Sequence, residues 1–126
     1  LVLIDLGNGN NRLGGSALAQ VYSQIGSDHP DVTPNSVKNF YEGIRELKEK
    51  SMILAYHDRS DGGLFTTLAE MAFCSQLGLT VHVNEDELAE LFAEEAGVVV
   101  QVAAEDPMIC HDCTNENKRR FPHPLA

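Results

Sequence analysis

The stretch Met52-Ile53-Leu54-Ala55-Tyr56-His57-Asp58-Arg59-Ser60-Asp61-Gly62-Gly63-Leu64 decides the reading of this chain. Met52 to Tyr56 is a short apolar run with the length of a buried strand. It passes into an acidic, hydroxyl-bearing turn with two glycines. A helical pattern then opens, with Leu64, Leu68, Met71 and Ala72 on one face. A strand, a tight turn and an amphipathic helix in direct succession predict a sheet covered by helices. Ligands of such sheets gather where strands end and helices begin.

The turn carries the chemistry. The first N–H groups of a helix lack internal partners and the helix dipole favours an anion there. Gly62 and Gly63 allow a phosphate to approach the backbone, and the Ser60 hydroxyl can donate to a phosphate oxygen. Asp58 is a hard oxygen donor, the kind Mg²⁺ takes beside substrate phosphates. A bare carboxylate would repel a phosphate, so Asp58 needs a cation between them. Asp61, next to the glycines, is expected to cap the helix. The same residues also make an ordinary turn-and-cap sequence, and local chemistry alone leaves both readings open.

Outward from this junction, Leu1 to Leu6 reads as a strand interrupted by Asp5, followed by the Gly/Asn-rich loop Gly7 to Gly15. Leu18, Val21, Tyr22 and Ile25 fall on one helical face, with Gly26 expected as its terminator. After a turn with Pro30 and Pro34, a second helix turns Val37, Phe40, Tyr41, Ile44 and Leu47 inward and leaves Glu42, Glu46, Lys48, Glu49 and Lys50 in solvent. Leu79, Val81 and Val83 alternate as a short strand. Asn84 is an N-cap candidate, with Glu85, Asp86 and Glu87 suiting the positive helix end. Leu88, Leu91 and Phe92 form that helix's apolar face. Gly97 breaks it, and Val98 to Val102 is the last strand. The expected class is α/β (α+β): a mixed sheet covered by helices, in the order β-α-α-β-α-β-α-β.

The 126 residues suit one domain with its own core. The net charge of −10 argues against nucleic acid or an anionic membrane as partner. No apolar run reaches the roughly 18 residues of a membrane span. From Ala103 the patterning is lost. The tail 103–126 holds four acids and three bases, net −1, so −9 falls on residues 1–102. The domain is therefore expected over 1–102, with 103–126 a tail of unknown or artefactual origin. Leu1 opens in mid-strand, as expected of a piece of a longer protein. Cys74, Cys110 and Cys113 are too few for a disulfide framework. Cys74 is expected as a buried thiol, and a reducing, cytoplasmic setting follows.

Other motifs carry less. The loop Gly7 to Ser16 has Arg12 where a dinucleotide fingerprint needs Gly, and no Lys for a P-loop, which leaves a shaped turn. Cys110-His111-Asp112-Cys113 with His123 lacks a second ligand pair and reads as a loose terminus. His57 is expected to pack or make a hydrogen bond. Glu94-Glu95 could serve as acid and base, and equally as solvated helix-end residues.

Taken in order, Ile4-Asp5-Leu6-Gly7, Asn11 to Gln20, Tyr56 to Leu64, Leu68 to Phe73 and Leu91-Phe92-Ala93-Glu94-Glu95 closely resemble the phosphoribosylformylglycinamidine synthases. The match is to the C-terminal part of the second aminoimidazole-ribotide-synthetase-like half of the large single-chain form, over about Leu1 to Val102. The resemblance implies an ATP-dependent carbon–nitrogen ligase of purine biosynthesis that amidates formylglycinamide ribonucleotide with ammonia from glutamine. It implies ATP or ADP with Mg²⁺ as cofactors, Asp58 as a metal ligand, and Ser60 beside Gly62 and Gly63 on the nucleotide. It further implies that the remaining Mg²⁺ ligands, the adenine pocket and the glutaminase belong to the parent enzyme's other domains. The nucleotide of this half would be auxiliary, turnover belonging to the other half. This chain alone is expected to be inactive. Aminoimidazole ribotide synthetase and selenophosphate synthetase are the alternative parents.

Overall fold

A computed structural model describes residues 1–83, 87–103 and 118–120. The elements run β1 (Val2–Asp5), α1 (Ala17–Val21), α2 (Pro34–Glu49), β2 (Ile53–Asp58), α3 (Gly63–Ser75), α4 (Glu87–Phe92), β3 (Gly97–Val102) and β4 (Lys118–Arg120). The strands form one sheet in the order β2-β3-β1-β4. Residues 118–120 lie within the segment read from sequence as a tail; their backbone pairs with β1, Leu3 opposite Arg119.

β3 is the centre of the core because its two faces are both apolar. Val98 and Val100 join Val2 on one face, where Phe40 and Ile44 of α2 cover them. Val99 joins Leu3 on the other, where Leu64 and Leu68 of α3 cover them. The strand alternation of period two places consecutive valines on opposite faces, so an uninterrupted Val-Val-Val run requires helices on both sides. The α/β (α+β) class holds. Every described pairing is antiparallel, however, where a mixed sheet was expected.

Several elements differ from the sequence reading. Among the described residues Leu79 to Val83 pairs with no strand; Leu79 and Val81, partly buried, pack on the Leu3, Leu64, Leu68 and Val99 cluster. Their alternation serves packing rather than a ladder. α1 stops at Val21, well before Gly26, because Ser23 turns the chain at φ 55°. The chain then doubles back on the Gly-rich loop: Gly15 N–H donates to the Ile25 carbonyl and Gly14 N–H to the Asp28 carbonyl, both at 2.7 Å. Val21, Tyr22 and Ile25 are consequently exposed, not inward. In α2, Phe40 and Ile44 reach the core, whereas Val37 and Tyr41 are exposed. α4 buries Ala89, Glu90 and Ala93 and exposes Leu88. Cys74 is a free, exposed thiol near the C-terminal end of α3 rather than a core residue. Leu54 and Tyr56 are also exposed, since β2 is an edge strand with an irregularity between Ile53 and Ala55. The expected cap Asn84 and the acids Glu85 and Asp86 lie outside the described residues, as does the Cys110 to Cys113 motif with His123.

Candidate functional site

The β2–α3 turn lies between the end of an edge strand and a helix start. Asp58 ends β2 opposite Val98. Asp58, Ser60 and Asp61 are exposed, while Arg59 between them is buried. This inversion organises the turn. The Arg59 side chain runs inward, donating from Nε to the Glu95 carbonyl and from Nη2 to the Asp5 carboxylate and the Ala96 carbonyl. Its backbone N–H donates to the Gly97 carbonyl at 2.8 Å. With Arg59 anchored, the flanking Asp58 and Ser60 side chains face solvent.

Behind this anchor sits a second buried pair. Glu95 has no solvent exposure and takes Arg12 as a bidentate partner, Nε to Oε1 at 2.6 Å and Nη2 to Oε2 at 2.7 Å. The Arg12 N–H adds a third bond to Oε1 at 3.1 Å. The hydrogen bond that Arg12 donates to the Glu95 carboxylate raises the Arg12 pKa above its ordinary value. The carboxylate lies so close to Gly7 that a Cβ there would meet Glu95 Oε2 at 2.8 Å. Glycine at the start of the loop is therefore a packing requirement.

Glu94, the neighbour of Glu95, faces the other way. Its Oε1 accepts from Gly62 N–H and from Ala17 N–H, each at 2.8 Å. Glu95 is thus fully engaged by Arg12 through both oxygens, and Glu94, half-buried, is held through Oε1 by two backbone donors. Charged residues 83 positions apart, Arg12 and Glu95, meet here. Sequence reading of the separate loops missed Arg12, Arg59, Glu94 and Glu95 as a set. The available signal was Asp5, a carboxylate inside an apolar strand, which needs a buried cation.

The predicted site residues sit in one turn. Gly62 is the N-cap of α3 at φ 85°, with no side-chain cap bond, so Asp61 does not cap the helix. Gly63 N–H donates to the Ser60 carbonyl at 2.9 Å. Two of the first four N–H groups of α3 are therefore taken within the chain, leaving at most those of Leu64 and Phe65 for an anion. Gly63, at φ +67°, packs against the end of α4: a Cβ there would meet the Ala93 and Leu91 carbonyl oxygens at 2.8 Å. His57 is held as expected, Nδ1 against the Asp58 carbonyl and Nε2 against Glu70 Oε2, both at 2.7 Å. The Tyr56 hydroxyl is pushed up to about 12 by burial and by the neighbouring Asp58 carboxylate.

The exposed groups at the turn are two carboxylates, Asp58 and Asp61, and one hydroxyl, Ser60. These hard oxygens fit Mg²⁺ and a phosphate as one edge of a site. Among the described residues no group of three or more His, Cys, Asp or Glu side chains is placed to hold a metal by itself. Among the same residues no helix is long and apolar enough to cross a membrane.

Residues 1–119 match the family model described as AIR synthase related protein, C-terminal domain. The chain belongs to this family. The match spans both sheet faces and the whole β2–α3 turn, and it extends past residue 102 to include most of β4. Domains of this family occur in ATP-using enzymes, AIR synthase and formylglycinamidine ribonucleotide synthase among them.

Proposed function

We propose that this chain is a segment of the second half of a large single-chain phosphoribosylformylglycinamidine synthase, with Asp58 and Ser60 forming one edge of a Mg²⁺-nucleotide site. The observation that carries the reading is the turn itself: Asp58 and Ser60 reach solvent from either side of a fully anchored Arg59. A phosphate edge needs such preorganisation, because a mobile carboxylate loses conformational entropy on each binding event. The ordered motifs Asn11 to Gln20, Tyr56 to Leu64 and Leu91 to Glu95 support the narrower assignment within the family.

Bound Mg²⁺ would offset the phosphate charge that Asp58 otherwise repels. Asp58 would supply a carboxylate oxygen to the metal, and Ser60 would donate its hydroxyl to a phosphate oxygen. Gly62 and Gly63 keep side-chain bulk away from the start of α3. The rest of the metal sphere, the adenine pocket and the glutaminase would come from other domains of the parent. Formylglycinamide ribonucleotide, glutamine and ATP are its expected substrates. A scaffold role for the nucleotide is the second reading. It is favoured by the internal satisfaction of the Gly62 and Gly63 N–H groups, which leaves the turn a fixed wall.

The full-length enzyme carrying Asp58→Asn tests both. Product formation from formylglycinamide ribonucleotide, glutamine and ATP is measured per folded molecule, beside the melting temperature. A slower reaction in well-folded enzyme supports a catalytic nucleotide. Lower stability with the reaction intact supports a scaffold. No change in either removes Asp58 from the site, and failure of the unmodified parent to make formylglycinamidine ribonucleotide removes the assignment.

A further inference from the structure

We infer that Glu94 is the positioning residue of this nucleotide edge, an inference that rests on the Mg²⁺-nucleotide reading of Asp58 and Ser60. α3 begins without a side-chain cap of its own. Glu94 supplies the missing acceptor from 32 residues away, and the same oxygen, Oε1, also accepts from the first N–H of α1. One carboxylate therefore joins the end of the Gly-rich loop to the turn that presents Asp58 and Ser60. Glu94 is itself fixed from both directions. The next residue, Glu95, is buried and gripped by Arg12, and the Glu95 and Ala96 carbonyls are gripped by Arg59. The frame thus runs from the Arg59 anchor through residues 94–96 and back through Glu94 to Gly62, closing a ring around the turn. The ring fixes the backbone from which Asp58 and Ser60 project, and the Tyr56 hydroxyl adds a side-chain contact to the Asp58 carboxylate. Groups that orient metal and phosphate ligands without touching them affect affinity by about 10- to 100-fold when removed.

The test uses the full-length enzyme and Mg²⁺-ADP, measured by equilibrium dialysis and paired with melting temperatures. Glu94→Ala removes both bonds and is expected to weaken Mg²⁺-ADP binding by about tenfold or more. Glu94→Gln keeps a carbonyl oxygen for the same two N–H groups and is expected to bind within about threefold of the unmodified enzyme, since the geometry is kept and a neutral acceptor retains about half of a charge-assisted bond. Leu68→Ala, which removes core packing on α3 one turn beyond the site, controls for destabilisation. It is expected to lower the melting temperature and keep the affinity. The inference is overturned if Glu94→Ala binds normally, if Glu94→Gln loses as much as Glu94→Ala, or if Leu68→Ala loses affinity equally. Asp58→Asn in the same assay separates this from the reading beneath it. If Asp58→Asn retains the nucleotide, the reading itself fails. If Asp58→Asn loses it and Glu94→Ala does not, only the role of Glu94 fails.

Discussion

Replacing Arg59 with Met tests how much the buried frame contributes. The Arg59 side chain is 2% exposed and its partner Asp5 is 9% exposed, so the pair is screened little by water. Met fills a similar volume but donates nothing. The Asp5 carboxylate keeps two donors, Gly7 N–H at 3.2 Å and Gly9 N–H at 3.0 Å, so its charge is only partly stranded. The Glu95 and Ala96 carbonyls lose the guanidinium outright. Breaking a buried pair from one side costs about 3–5 kcal/mol. The residual donors on Asp5 point to the lower end, about 3 kcal/mol. Domains of this size have only about 5–15 kcal/mol of stability, so the loss is a large fraction of the total. Urea denaturation of the chain measures it, with Asp5→Asn and the double variant completing a cycle. The cycle should show coupling of at least about 1 kcal/mol between the two sites. A control at the exposed pair of Lys50 and Glu46, 2.6 Å apart, should change nothing measurable. If Arg59→Met is as mild as that control, the frame does not hold the turn.

Two further outcomes follow from local geometry and titration. Gly63→Ala, placed at φ +67° against two carbonyl oxygens, should destabilise the chain by about 2 kcal/mol or more, whereas Gly43→Ala, in open space on α2, should stabilise it by roughly 0.5–1 kcal/mol in the same denaturation assay. Tyr56, raised from its ordinary 10.0 to about 12, holds its proton more tightly folded than unfolded, so its contribution to stability is complete below pH 10 and is lost as pH rises toward 12. Absorbance titration should show one phenol lagging to about 12, and Asp58→Asn should bring it down.

The elements with strong periodicity were legible in the sequence because their signal is local. β1, β2, α2, α3 and β3 each carry a pattern that only one kind of element satisfies. Leu79 to Val83 carried the strand pattern too, yet alternation records only which residues turn inward, and here Leu79 and Val81 are partly buried with no pairing partner among the described residues. Val21, Tyr22 and Ile25 kept a helical spacing, but a turn at Ser23 overrides it. The exposed half of the site, Asp58 and Ser60, was legible as a strand-to-helix turn. Its frame was not, because Arg12, Arg59, Glu94 and Glu95 come from loops separated by as many as 83 residues, and charge alone does not say which partner a residue will meet. Asp5 was the visible clue, since a carboxylate in an apolar strand must be answered by a cation.

The central claim is that the β2–α3 turn presents Asp58 to a Mg²⁺-bound nucleotide. The most direct measurement is the amount of ADP that full-length enzyme retains after desalting in Mg²⁺, with and without Asp58→Asn. The unmodified protein should keep nucleotide and the variant should lose most of it, with affinity reduced by about tenfold or more. Equal retention by both proteins would contradict the claim.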